Sequence, residues 1–184
     1  MISLQILLSL KSIRTLVKQL EMENTMKLVL HDDPILKTKC KEFDFANMPF
    51  EPIEFSRELI KFMYDNNGLG LAANQVGVPY RIFAMRGAPE NFVCFNPKIV
   101  TPSVDKVLLE ERCLTYPGLL VKIKRSQHIR VRFATPNGDI RTETFTGMTA
   151  RIFQHELDHL DGIVFYNRAN AYHKEQAFKK RNAL

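Results

Sequence analysis

Two histidines stand four residues apart in "IFQHELDHLDG", residues 152–162, with a glutamate directly after the first. On a helix, residues four apart lie one turn apart on the same face. His155 and His159 can therefore hold one metal ion together, with Glu156 beside the first of them. That pattern suits hydrolysis, because a bound ion acidifies a water and a neighbouring carboxylate takes the proton. A catalytic site usually takes three protein ligands and leaves one position for water. The third ligand must come from elsewhere in the chain.

The side chains that suit a borderline metal are Cys, His, Asp and Glu. Downstream stand Asp161, His173 and Glu175, without the HExxHxxGxxH continuation of one zinc-peptidase group. Upstream, "LLEERCLTYPG" (108–118) sets Cys113 between a strand-like run and a Pro-Gly turn. Read alone, Cys113 is better explained as a buried structural cysteine. A further stretch, "NNGLGLAANQVGVP" (66–79), has the glycine spacing of a dinucleotide loop. That loop requires a strand before it and a helix after it. Here a helical pattern precedes the glycines, and Val76-Gly77-Val78-Pro79 breaks any helix after them. The glycines point instead to a backbone that approaches a ligand closely, and Gln75 adds a neutral amide donor.

Taken together, "GLGLAANQ" (68–75), "ERCLT" (111–115) and "QHELDHLDG" (154–162) resemble the three motifs of the peptide deformylases, in the family's order. The resemblance covers roughly residues 26–168. It implies Cys113, His155 and His159 as metal ligands, with a water as the fourth. It implies that this water attacks the formyl carbon of an N-formylmethionyl nascent peptide, with Glu156 as general base and then acid, releasing formate. The Gln75 amide and the Leu114 backbone N–H would stabilise the oxyanion. Leu69 and Gly70 would run beside the substrate backbone, and Met148 with Ile152 would line the methionine pocket. The implied cellular metal is Fe²⁺, with Zn²⁺, Ni²⁺ or Co²⁺ able to fill the same ligand set. The chain departs from the family pattern at Arg112, usually Gly, and Thr115, usually Ser. Arg112 is expected to border the substrate pocket and alter preference downstream of the formylmethionine.

These residues need elements to hold them. "PIEFSRELIKFMYDNNGLG" predicts a helix, with Pro52 in its first turn and Phe55, Leu59, Phe62 and Met63 along one face. Asn66-Asn67-Gly68 tolerates the left-handed conformation that ends it. Short strand-like runs come next, at 81–85, 91–96, 98–102 and 120–125. "HIRVRFATPNGDIRTETF" (128–145) alternates around Pro136-Asn137-Gly138 and predicts a hairpin. A helix over about 148–160 carries the histidines, anchored by Phe153, Leu157 and Leu160. The expected fold is one α+β domain, residues 26–170. Short antiparallel β-sheets pack around the central HExxH helix, and a second helix lies in the N-terminal half.

Composition adds limits. The chain has 184 residues, 45% hydrophobic and 25% charged, enough for one substantial core. No apolar run approaches the roughly 18 residues that span a bilayer. The three cysteines, Cys40, Cys94 and Cys113, share no CxxC spacing, which favours a reducing compartment over a disulfide framework. Cys94 reads as a buried strand residue. Residues 1–25 form a separate extension with a helical pattern, read as an appended helix, a non-native start or an organellar transit peptide. The expected location is cytoplasmic, or an organelle under the transit reading. Net charge is +6. Residues 171–184, with Lys174, Lys179, Lys180 and Arg181, read as a short, partly frayed basic tail, a candidate for transient ribosome contact. Neither a membrane nor DNA is expected as a partner. The rival readings are a zinc peptidase with a downstream third ligand, and an inactive metal-holding or RNA-binding module.

Overall fold

The computed structural model describes residues 26–183. Helix α1, Pro52–Asp65, starts where the sequence predicts. Proline has a fixed φ and no N–H to satisfy, so it costs nothing in a first turn. Phe55, Leu59 and Met63 are buried, while Phe62 is half-buried at the edge of the same cluster. The helix ends at Asn66 and Asn67, the latter at φ 55°. An asparagine accepts that left-handed conformation more readily than most side chains.

Seven strands come after α1, all paired antiparallel: β1 Gly70–Ala72, β2 Ile82–Met85, β3 Phe92–Pro102, β4 Lys106–Cys113, β5 Tyr116–Ser126, β6 His128–Ala134 and β7 Ile140–Thr146. One sheet has the order β1-β2-β3-β6-β7, and β4-β5 forms a separate ribbon. The β6–β7 hairpin turns through Gly138, at φ 87°, as its Pro-Asn-Gly signal requires.

Three expectations need revision. The runs at 91–96 and 98–102 are one strand, not two. Asn96 at φ 49° and Pro97 form a register shift that β3 absorbs, and the Asn96 side chain both accepts from Phe43 N–H and donates to its carbonyl. Proline lacks the ladder donor, so a bulge is where a strand can take it. Pro117-Gly118 is not a turn after Cys113. The turn is at Leu114-Thr115, and β5 runs from Tyr116, with Pro117–Leu120 bulged opposite Arg112 and Gly118 at φ 75°. Finally, the supposed basic tail is mostly helix, Ala171–Asn182. Asn170 caps it by accepting from His173 N–H, and Ala177 is buried against the ribbon. The proposed extension 1–25 lies outside the described residues.

The helix with the two histidines, Gly147–Leu160, lies between these layers, and we label it α2; the C-terminal helix is α3. Phe153 anchors α2, meeting Phe83 edge-on at 5.0 Å and Phe145 at 5.8 Å. Leu160 and Ile152 are buried in the same cluster, with Leu157 packed against it. Burying a phenylalanine this fully is worth roughly 1.5–3 kcal/mol. At the helix end, Gly162 sits at φ 70° with the Lys37 backbone so close that an added Cβ would lie 2.8 Å from it. The fold therefore fixes both the rotation of α2 and the point where it stops.

Candidate metal centre and active site

Strand alternation sends Glu111 and Cys113 of β4 to the same side, towards α2, while Glu110 and Arg112 are exposed. The Cys113 Sγ lies 3.2 Å from His159 Nε2. One ligand atom from each of Cys113, His155 and His159 falls within 4.8 Å of the others, and all three residues are buried. Burial alone would raise the Cys113 thiol, but His159 and His155 outweigh it and hold its pKa well below the ordinary value. A thiolate with two imidazoles is a donor set for a borderline divalent ion. Two buried polar atoms of the same helix, Glu156 Oε2 and His159 Nδ1, have no hydrogen-bond partner. The residues present fit such an ion.

Behind the donors lies a buried charge network. Glu111 is 3.0 Å from His155 Nδ1, which leaves the ring's Nε2 available to a ligand. Glu111 also accepts from Arg125 at 2.7 and 2.9 Å and from Arg151 at 2.7 Å. Arg125 donates onward to Asp158 at 2.7 Å, and Arg168 donates to Asp158 at 2.6 Å. Burial works against the Glu111 carboxylate, but His155 and Arg125 lower its pKa to about 2. On the other side of α2, Asn74 donates to the His159 carbonyl at 2.6 Å.

Glu156 faces the cavity under different conditions. Burial raises its carboxyl to about 7, against the opposing pull of His155 and His159. A carboxyl near neutrality can take and return a proton at working pH. Gly70 lies directly against it: a Cβ there would sit 2.7 Å from the Glu156 carboxyl carbon. Gln75 stands in the short turn after β1. Its Oε1 accepts from Ala72 N–H at 2.8 Å, so its Nε2 points to Thr115 Oγ1 at 3.0 Å and Cys113 Sγ at 3.5 Å.

A cavity of about 660 Å³ opens onto this group. Leu69, Gly70, Gln75, Arg112, Cys113, Leu114, Met148, Ile152, His155 and Glu156 all line it, and His159 lies buried behind Cys113. Met148 is exposed at the rim, while Ile152 is buried. Sequence reasoning missed Glu111, Arg125 and Arg151. A signal existed for one of them, since Val121, Ile123 and Arg125 share one parity along β5 and all three are buried. Arg81 holds Asp161 at 2.7 Å, and Glu175 pairs with Lys179 on α3, so two downstream ligand candidates are engaged elsewhere.

A strand-borne thiolate, two imidazoles of one helix and an adjacent raised-pKa carboxylate at a cleft define a metallohydrolase of the HExxH kind. The polypeptide deformylase family model matches residues 25–175. The chain is 38% identical over 140 residues to the peptide deformylase of Pseudothermotoga lettingae, covering 76% of this chain and 80% of that one. It is 33% identical over 163 residues to that of Aquifex aeolicus, covering 85% and 95%. Among solved structures, the peptide deformylase of Synechococcus elongatus in complex with actinonin superposes with a TM-score of 0.78 at 29% identity, covering 85% of this chain and 86% of that one. The Thermus thermophilus enzyme gives 0.78 at 31%, covering 85% and 92%. The chain belongs to the peptide deformylase family. It is an enzyme, a metal-dependent hydrolase that removes the formyl group from polypeptides.

Proposed function

We propose that Cys113, His155 and His159 hold one divalent ion and that Glu156 moves the proton during removal of the N-formyl group from initiator methionine. The observation that carries this reading is the meeting of three buried donor atoms within 4.8 Å beside a carboxylate oxygen that has no partner. When bound, the ion supplies Lewis-acid chemistry, polarising the carbonyl and acidifying water. Glu156 takes the proton from the attacking water and returns it to the departing amine. Gln75 is a neutral donor pre-set by its bond to Ala72, so it meets developing negative charge without repelling it, and Leu114 N–H adds a second donor. The substrate backbone runs beside Leu69 and Gly70 at the edge strand β1, with the methionine side chain between Met148 and Ile152.

The ion in the cell is Fe²⁺ in this reading, with Zn²⁺, Ni²⁺ or Co²⁺ as replacements during purification. Residues 26–170 form the catalytic domain in the cytoplasm, and α3 offers its lysines for passing ribosome contact. No helix of the described residues is long and apolar enough to cross a membrane.

The test is formate release from formyl-Met-Ala-Ser by anaerobically purified protein, with metal analysis of each variant. Glu156→Gln is expected to keep the ion and lose turnover. Gln75→Ala is expected to lower kcat by about 10²–10³, the usual cost of one oxyanion donor. Turnover by Glu156→Gln at the wild-type rate would remove Glu156 from the mechanism, and cleavage of an internal peptide bond would favour the peptidase reading.

A further inference from the structure

The outer face of the five-stranded sheet carries an arrangement that the hydrolytic reaction does not use. Lys98 of β3 and Arg132 of β6 are directly opposite in register, and Arg130 lies two residues before Arg132 on the same face. All three are exposed. Like charges directly opposite across strands destabilise a sheet, so this pairing is unfavourable without a counter-charge. Among the described residues none of the three side chains has an ion pair. The acidic residue of strands β3, β6 and β7 is Glu143, which is opposite Val131 on the other face and pairs with Arg141.

Beside the cations runs a row of hydroxyls: Thr142 is opposite Arg132 and Thr144 opposite Arg130, both exposed. Arginine, lysine and threonine are the side chains that contact phosphate and sugar in nucleic-acid complexes. Residues two apart on a strand are separated by about 6.7 Å. A single phosphate therefore reaches only part of the set, and an extended polyanion is needed to reach it all. The exposed large apolar side chains of these strands are Val100 on β3 and Ile140 on β7, with β6 between them, and His128 adds an exposed imidazole two residues before Arg130. No Phe, Tyr or Trp is exposed there, so the face lacks the aromatic anchors typical of a protein interface.

We propose that this sheet face, Lys98, Arg130 and Arg132 with Thr142 and Thr144, binds the phosphate backbone of RNA without reading its sequence. RNA is the polyphosphate that accompanies a polypeptide during synthesis, which is when a deformylase meets its substrate. The face holds RNA and leaves the catalytic cavity free, because none of its residues lines that cavity.

The experiment is fluorescence anisotropy of the full chain with a labelled RNA hairpin at several salt concentrations. Its comparators are the triple variant Lys98→Thr, Arg130→Thr, Arg132→Thr and the single reversal Arg130→Glu. Threonine suits a strand, so the triple variant should melt no lower than wild type and cleave formyl-Met-Ala-Ser at the wild-type rate. Its RNA affinity should fall at least tenfold, and the slope of log affinity against log salt should lose about two to three units. Arg130→Glu should weaken binding in the same direction. Wild-type affinity in both variants would overturn the proposal. So would binding of polyglutamate as tight as RNA, or loss of RNA binding only when Lys174, Lys179, Lys180 and Arg181 of α3 are replaced.

Discussion

The Glu111 carboxylate lies 3.0 Å from His155 Nδ1, joining residues 44 apart in the chain. One strand thus places Cys113 beside His159 and, two positions earlier, the acid that holds the His155 ring of α2. Because both β4 residues point inward by alternation, any shift of the strand moves Cys113 and Glu111 together. Glu111→Gln should lower metal affinity by about 10–100-fold, as loss of a carboxylate behind a ligating histidine typically does. It should also destabilise the fold by about 3–5 kcal/mol, since Arg125 and Arg151 lose their shared buried counter-charge. Metal titration and urea unfolding read the two effects separately, and a variant with unchanged metal affinity would deny Glu111 its orienting role.

Gly70 leaves room for Glu156. In Gly70→Ala the new methyl group must displace the carboxylate or bend β1. We expect kcat to fall at least tenfold while metal content stays constant. Metal analysis alongside steady-state kinetics checks this, and wild-type kcat would mean that Glu156 works from a different rotamer.

Removing the ion should cost stability as well as activity. A ligand present at about 1,000 times its Kd contributes about 4.1 kcal/mol to the folded state. For a domain of this size that corresponds to a fall in Tm of roughly 8–16 °C on chelation. Cys113→Ser should melt near the chelated wild type and gain little from added metal. A Tm indifferent to chelator would show that the donors are held without an ion.

Arg112 is exposed on the cavity wall, opposite the Pro117–Leu120 bulge, with no ion-pair partner among the described residues. Formyl peptides with an acidic side chain downstream should be preferred over those with lysine. An exposed ion pair is worth about 0.2–1 kcal/mol, so kcat/KM should differ by roughly 1.4- to 5-fold. Arg112→Gly should erase the difference, and an unchanged peptide ranking in that variant would dismiss Arg112 as a selectivity residue.

Burial raises the Cys40 thiol from 9.0 to about 11. A folded pKa above the unfolded one means that the native state holds its proton longer. The resulting stability is fully present below about pH 9 and is lost as pH rises through about 11. Unfolding midpoints measured between pH 8 and 11 should decline, and less steeply in Cys40→Ala. Identical slopes in the two proteins would assign the decline to other groups.

Much of the fold was legible because its signals are local. The spacing of Phe55, Leu59 and Met63 and the Pro136-Asn137-Gly138 turn each report on neighbours within a few residues. Helix α3 was not legible, since Ala177 is its buried residue and its lysines and arginine look like a solvated tail. The continuity of β3 was hidden as well. Asn96-Pro97 reads as a break, and the bonds that hold it in the strand come from Phe43, 53 residues earlier.

The same division runs through the site. The sequence by itself determined the types of donor and the relation of His155, Glu156 and His159, because helical periodicity fixes which residues share a face over one turn. It could not place Cys113 against His159 across 46 residues, or bring Arg125 and Arg151 onto Glu111. Those meetings depend on how the β4–β5 ribbon packs on α2, and packing is set by the whole set of buried surfaces rather than by any local period.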